Sequence, residues 1–318
     1  MNKRVLGKTG IKVSEIAFGG VEIGLPYGIG VKSKDDMLTE KEAISLLHSA
    51  IDRGINFFDT ARMYGNSEII MGKAFKDRRD KVVISTKCRG FRDSNGKIYS
   101  NEKIKSIIKT SLKESMDALQ TDYIDVYMLH QTDMEVLQNC VIADTFHELK
   151  ANGSIRATGV STYTTEETRI SIKKGAWDVI QLPFNLMDQT QESNFALADK
   201  KGVGIVVRSV LFKGILSEKG RNLHPALKDV EKHLEKYKGL LSSSIPDLPT
   251  LATKFALSFN EISSVLVGID RMEYLEKSLE AANGVYLSSN IFERGKELAY
   301  PDPQFLDLPK WDRLGWLT

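Results

Sequence analysis

TEKEAISLLHSAIDRG (residues 39–54) followed by INFFDT (55–60) is one complete unit of the pattern that sets the architecture: an amphipathic stretch, then a short apolar run. In the first part apolar residues return every three to four positions. Thr39 stands where a helix N-cap belongs and Gly54 where a helix stops. The second part reads as a strand that ends on a charge, Asp59. Outward from this unit the alternation continues. Strand-like runs stand at SEIAFGG (14–20), KVVISTK (81–87), DYIDVYMLH (122–130), IRATGVS (155–161), DVIQLP (178–183), VGIVVRS (203–209) and ISSVLVG (262–268), which with INFFDT makes eight. Helical patterns separate them: NEKIKSIIKTSLKESMDAL behind Asn101, VLQNCVIADTFHELKANG closing at Gly153, and stretches near 164–174, 190–201, 248–258 and 271–282.

Strands that are apolar on both faces belong in a parallel sheet covered by helices. Eight such units with no Pro/Ser-rich linker between them predict an α/β chain folded as one (β/α)8 TIM barrel, a single domain over residues 1–318. At roughly 100–200 residues per domain the length alone also admits two domains. A doubly wound sheet is the other arrangement, but it announces itself by a Gly-rich phosphate turn that opens a helix. Gly28 and Gly30 give only a GIG with no helix pattern directly behind it, and are read as a loop. Two pieces fall outside the repeat. LGKTGIKVS (6–14) reads as a hairpin turning at Lys8–Gly10 that closes the bottom of the barrel, and 212–247 is a long polar insert after the seventh strand, helical around 226–238.

The 44 Lys plus Arg residues nearly balance the 42 Asp plus Glu, leaving a formal charge of +2. A nucleic-acid binder concentrates basic charge, so this balance argues against one. Charge runs such as KDRRDK (76–81) read as a solvated loop. Cys88 and Cys140 are too few for a disulfide framework or a zinc cluster, and the five histidines lack metal-ligand spacing, so no metal is expected. The start, MNKRVLGKTG, lacks the apolar core of a signal peptide, and no apolar run approaches the ~18 residues a bilayer requires. A cytoplasmic protein without a membrane partner is the expectation; the oligomeric state is not readable.

A barrel carries its chemistry at the carboxyl ends of its strands. There the second strand ends in Asp59, the third in Lys87 and the fourth in His130, with Tyr64 in the loop after the second. Singly, each is an ordinary solvated strand end. Together they are chemically consistent: an ammonium beside a phenol stabilises the phenolate, and a carboxylate holds that ammonium in place.

The ordered blocks LGKTGIKVSEIAFGG, GINFFDTARMYGNSE, VVISTK, DYIDVYMLH, GSIRATGVS, DVIQLPFN and VVRSVL resemble the aldo-keto reductase superfamily over nearly the whole chain. The resemblance implies hydride transfer between a nicotinamide cofactor, NAD or NADP, and a carbonyl or alcohol carbon. It places the family's tetrad on Asp59, Tyr64, Lys87 and His130. Tyr64 would give the proton to the carbonyl oxygen, or take it back in oxidation; Lys87 with Asp59 would depress its pKa; His130 would orient the substrate oxygen. It also implies a cofactor site of Gly20, Ser161, Gln181, Arg208, Ser209, Leu211 and Gly214 around the nicotinamide and pyrophosphate. Arg208 stands where many relatives place a stacking tyrosine. The adenosine end falls on GIDRMEYLEKSLEAA, with Gly268, Ile269, Asp270, Arg271, Tyr274, Lys277 and Ser278. Asp270 beside the ribose favours free hydroxyls and repels a 2′-phosphate, while Arg271 pulls the other way, so the reading leans slightly to NAD(H).

The substrate is a small carbonyl compound or sugar. Its pocket is sought in Val21–Tyr27, around Arg89 and Phe91, in the insert and in the tail carrying Tyr300, Phe305, Trp311 and Trp316, whose aromatics otherwise serve as core anchors. Strand eight, LVGID, is similar to the branch with aldose and galactose dehydrogenases, so an aldose 1-dehydrogenase working in oxidation is an alternative. Two others are a Schiff-base aldolase using Lys87 and a low-turnover cofactor-bound sensor subunit. Asp59 opposes the aldolase by keeping the amine charged, and the intact tetrad opposes the sensor.

Overall fold

A computed structural model describes residues 1–31 and 33–317. Its centre is a closed barrel of eight parallel strands, β3 (Ile16–Gly19), β4 (Phe57–Asp59), β5 (Val83–Lys87), β6 (Ile124–Leu129), β7 (Ile155–Ser161), β8 (Val179–Pro183), β9 (Gly204–Arg208) and β10 (Ile262–Gly268), each bonded to its sequence neighbour and β10 back to β3. These are the eight expected runs, trimmed by up to two residues at either end. Before them β1 (Lys3–Val5) pairs antiparallel with β2 (Lys12–Ser14). The hairpin thus starts earlier than the expected 6–14, and its turn, Gly7–Thr9 with Gly10 left-handed, is where the sequence put it.

Alternation along the strands splits the core in two. Ala17, Phe57, Val83, Val126, Met128, Ala157, Val179 and Val206 fill the barrel, and Leu6, Ile11 and Val13 of the hairpin join them from below. Gly7 lets the hairpin seat closely: a Cβ there would lie 2.4 Å from the nitrogen of Gly204, the first residue of β9. The second, larger core lies between strands and helices, where Phe58, Ile84, Tyr127, Ile180 and Val207 meet residues such as Leu47, Ile108 and Phe146.

The helix at Glu40–Asp52 starts as expected. The Thr39 hydroxyl accepts from the Glu42 amide, and the Glu42 carboxylate accepts from the Thr39 amide, a reciprocal cap. At Asn101–Leu119 the cap is Ser100 rather than Asn101. The single helix expected through 136–153 is two, Met134–Gln138 and Cys140–Ala151, because Asn139 adopts extended backbone and its side chain accepts from the Val141 amide. The insert after β9 is a chain of 3-10 turns leading to one helix, Lys228–Tyr237, close to the expected 226–238. Among the described residues no helix is long and apolar enough to cross a membrane.

Candidate active site

Strand geometry brings Asp59, Lys87 and His130 to one rim, because β4, β5 and β6 are neighbours in register and each ends there. Tyr64 reaches the same point from a tight turn, in which its amide donates to the Ala61 carbonyl and its own carbonyl accepts from Ser67. That turn packs against the loop after β3. A Cβ on Gly24 would sit 2.0 Å from the Tyr64 carbonyl oxygen, and one on Gly65, at φ +51°, would sit 2.2 Å from the Gly24 carbonyl oxygen.

Beneath the rim Lys87 is fully buried, and its ammonium donates to Asp59 Oδ2 at 2.5 Å and to the Thr60 carbonyl at 3.0 Å. Asp59 Oδ1 accepts from Gln181 Nε2 at 2.9 Å, so both carboxylate oxygens are engaged. The Lys87 ammonium lies 5.1 Å from the centroid of the Tyr64 ring. The rings of Tyr64 and His130 meet edge to face at 5.5 Å.

The electrostatics correct one expectation. Burial, joined by the Asp59 carboxylate, pushes the Tyr64 phenol above its ordinary pKa, and the cation acting against that rise is Arg208, not Lys87. The reason is geometric: the lysine's hydrogens go to Asp59 and Thr60, and its charge faces the ring, where a carboxylate beside it offsets its field. Tyr64 is therefore a neutral phenol at physiological pH. Burial lowers the pKa of Lys87 itself, against the pull of Asp59. Burial first, then Lys87 and Arg208, lowers His130 to about 3, so its imidazole is neutral, and its Nδ1 is buried without a partner. A neutral phenol and a neutral imidazole side by side can donate to and orient one ligand oxygen.

Tyr64 and His130 form one end of a cavity of about 980 Å³, at the top of the size range for small-molecule sites. From there it runs across the ends of β7 to β10. Ser161, Gln181, Arg208, Ser209, Leu211, Gly214, Gly268, Asp270, Tyr274, Lys277 and Ser278 line it. Asp59 and Lys87 lie below its floor. Gly20, Ile269 and Arg271 are not on its wall. A Cβ on Gly20 would meet Met71, Asp59 and Ser67 within 2.8 Å, Ile269 is core, and Arg271 pairs with Asp270 at 3.3 Å and covers the Tyr274 ring. Gln181 does line the cavity, with its amide nitrogen given to Asp59.

The loop leaving β9 has a distinctive backbone. Ser209, Phe212 and Lys213 hold left-handed φ angles of 60°, 49° and 58°, and Gly214 follows at 103°. Strain of this kind gathers where a ligand is bound. Arg208 donates to the Thr162 carbonyl at 3.1 Å, and its planar face lies over Tyr163, 4.6 Å from the centroid. That contact carries no signal readable from the sequence. Lys213 bonds Asp312 of the tail and faces Tyr27 across the opening.

Of the substrate-pocket candidates, Val21, Glu22 and Tyr27 line the cavity, as do Leu306–Pro309 and Asp312 of the tail and Lys213–Gly214 and Ser217–Lys219 of the insert. Arg89 pairs with Glu114 and Phe91 is core. The tail aromatics are anchors: Trp311 is fully buried against Phe212 and Phe305.

Comparison with known proteins gives a consistent result. The model of the Aldo/keto reductase family matches residues 15–299. The uncharacterized oxidoreductase YqkF of Bacillus subtilis is 30% identical over 302 residues, covering 89% of this chain and 92% of its own. The L-galactose dehydrogenase of Arabidopsis thaliana is 29% identical over 296 residues, 87% of each chain. Among solved structures, the holo form of aldo-keto reductase AKR11C1 from Bacillus halodurans superposes with a TM-score of 0.79 at 28% identity, covering 94% of this chain and 96% of that one.

Proposed function

The chain belongs to the Aldo/keto reductase family, and on that premise we propose that it interconverts a small carbonyl compound, an aldehyde, ketone or sugar, and the corresponding alcohol. Nicotinamide dinucleotide, bound along the cavity, supplies or accepts the hydride. The carrying observation is the cavity itself: about 980 Å³ in volume, it is lined by Tyr64 and His130 beside the buried Lys87–Asp59 pair and reaches Arg208, Gly214, Asp270 and Tyr274.

In this reading Tyr64 donates its phenolic proton to the substrate oxygen. It is protonated through neutral pH, which suits it to the reductive direction. His130, neutral for the same reason of burial, hydrogen-bonds the same oxygen. Lys87 and Asp59 act from below as positioning residues that fix the floor under the Tyr64 ring. Ser161, Gln181 and the Arg208–Gly214 segment would hold the nicotinamide half, and Gly268, Asp270, Tyr274, Lys277 and Ser278 the adenosine half. The residues fit such a group because the strained loop and Gly214 open room beside the cavity and the His130 Nδ1 is unpartnered.

The adenosine half favours NAD(H). Its cations are already spent, Arg271 on Asp270 and Lys277 on Glu273 at 2.9 Å, and both carboxylates line the cavity. A 2′-phosphate would meet those carboxylates. Turnover over a panel of aldoses, hydroxy-aldehydes and aromatic aldehydes, with both dinucleotides, is expected to show higher kcat/KM with NAD(H). A tenfold preference for NADP(H) would reverse this assignment. The L-galactose dehydrogenase likeness is why sugars belong in the panel. An aldolase is disfavoured by the Lys87–Asp59 contact, which holds the amine as an ion-pair partner.

A further inference from the structure

Glu22 follows the end of β3, and its carboxyl lies in the seam where Gly19 of β3 and Gly268 of β10 are register partners. Neither glycine has a side chain, and the carboxyl covers both. A Cβ on Gly268 would fall 2.1 Å from Glu22 Oε1, and one on Gly19 3.5 Å from Oε2. Oε2 is buried with no hydrogen-bond partner among the described residues, yet the residue lines the large cavity. The other carboxylates nearby are served: Asp59 by Lys87 and Gln181, Asp270 by Arg271. Of the three, Glu22 has no cation among the described residues.

The groups that face it are Asp59 and Tyr64 on the reaction side, Asp270 on the adenosine side and Tyr27 on its own loop. Two cations that line the same cavity are engaged elsewhere, Arg208 over Tyr163 and Lys213 with Asp312. Burial, with Asp270 and Asp59 adding to it, pushes the Glu22 carboxyl up to about 8. At neutral pH it is therefore held as a neutral acid with a hydrogen to give.

Glu22 is within electrostatic reach of both Tyr64 and Asp270, so a dinucleotide held from one to the other would carry its diphosphate, the group that joins its two halves, towards that carboxyl. We propose that dinucleotide binding in this chain is linked to a proton on Glu22: the seam between β3 and β10 admits the diphosphate with the carboxyl protonated, and that carboxyl donates its hydrogen to a diphosphate oxygen. This rests on the cofactor reading above. An ionised Glu22 would instead place its own negative charge against the diphosphate.

The test is dinucleotide affinity, read by the fluorescence of NADH on titration with the intact protein from pH 7 to 9. With Glu22 at about 8, the protonated fraction falls about tenfold over that range, so Kd should rise about tenfold. Glu22→Gln keeps a donor and cannot ionise, so its Kd should stay flat and lie within about threefold of wild type at pH 7. Calorimetry of the wild type at pH 8 in buffers of different ionisation enthalpy should show proton uptake on binding, and none with Glu22→Gln. A flat wild-type Kd without proton uptake, or a glutamine variant that keeps the pH dependence, overturns the inference and leaves the cofactor reading standing. Failure of the wild type to bind the dinucleotide at any pH overturns both.

Discussion

Replacing Tyr64 with phenylalanine is expected to lower turnover by about 10²–10⁴ while dinucleotide affinity stays within a few-fold. The substitution removes one hydroxyl and keeps the ring that packs edge to face on His130 and lies over Lys87. The fold and the cavity wall should therefore survive, and the loss falls on proton donation. Single-turnover reduction and a separate dinucleotide titration, run on both proteins, divide the effect between chemistry and binding. Retained turnover would mean that another donor serves the substrate oxygen. The neutral His130, whose Nδ1 has no partner, would then be the first to examine.

The second large effect concerns stability. Lys87→Met removes the ammonium that pairs with Asp59 and, among the described residues, leaves that carboxylate buried with the Gln181 amide. Breaking a buried ion pair from one side typically costs about 3–5 kcal/mol, since the remaining charge stays out of water. The urea midpoint should fall accordingly. Asp59→Asn with Lys87→Met removes both charges together, and this double variant should be more stable than either single one. Its turnover should stay low, because the floor beneath the Tyr64 ring is still altered. If the double variant regained full activity, the pair would be a packing feature with no part in positioning Tyr64.

The barrel was legible because its signals are local. Each strand run is a short apolar block, and the helices at 40–52, 101–119 and 165–174 carry amphipathic stripes with capping residues in front. The helix Ser67–Phe75 after β4 was missed for the complementary reason. Seven of its nine residues are buried, so SEIIMGKAF shows no polar face to set a period. The helix expected through 136–153 was read as continuous because Asn139 looks like an ordinary helix-surface residue until its backbone is seen to be extended.

Within the site, the sequence indicated which residues meet at the rim, since a strand's last residue is set by the length of its apolar run. It could not show where the Lys87 ammonium points. That direction decides whether the lysine acidifies Tyr64, and here it faces Asp59, Thr60 and the ring instead. Glu22 was also within reach of a sequence reading, as an acid set in the apolar run IAFGGVEIG. Its lack of a partner among the described residues depends on β3 and β10 meeting at Gly19 and Gly268, which only the fold reveals.

Central to this account is hydride transfer at the Tyr64 end of the cavity. The most direct measurement supplies the wild-type protein with NADH deuterated at the transferable nicotinamide position and an aldehyde from the panel, and locates the label by mass spectrometry. The account predicts one deuterium on the carbinol carbon of the alcohol, with the oxidised dinucleotide formed in equal amount. Alcohol formed without the label, or no dinucleotide oxidised with any substrate of the panel, would contradict it.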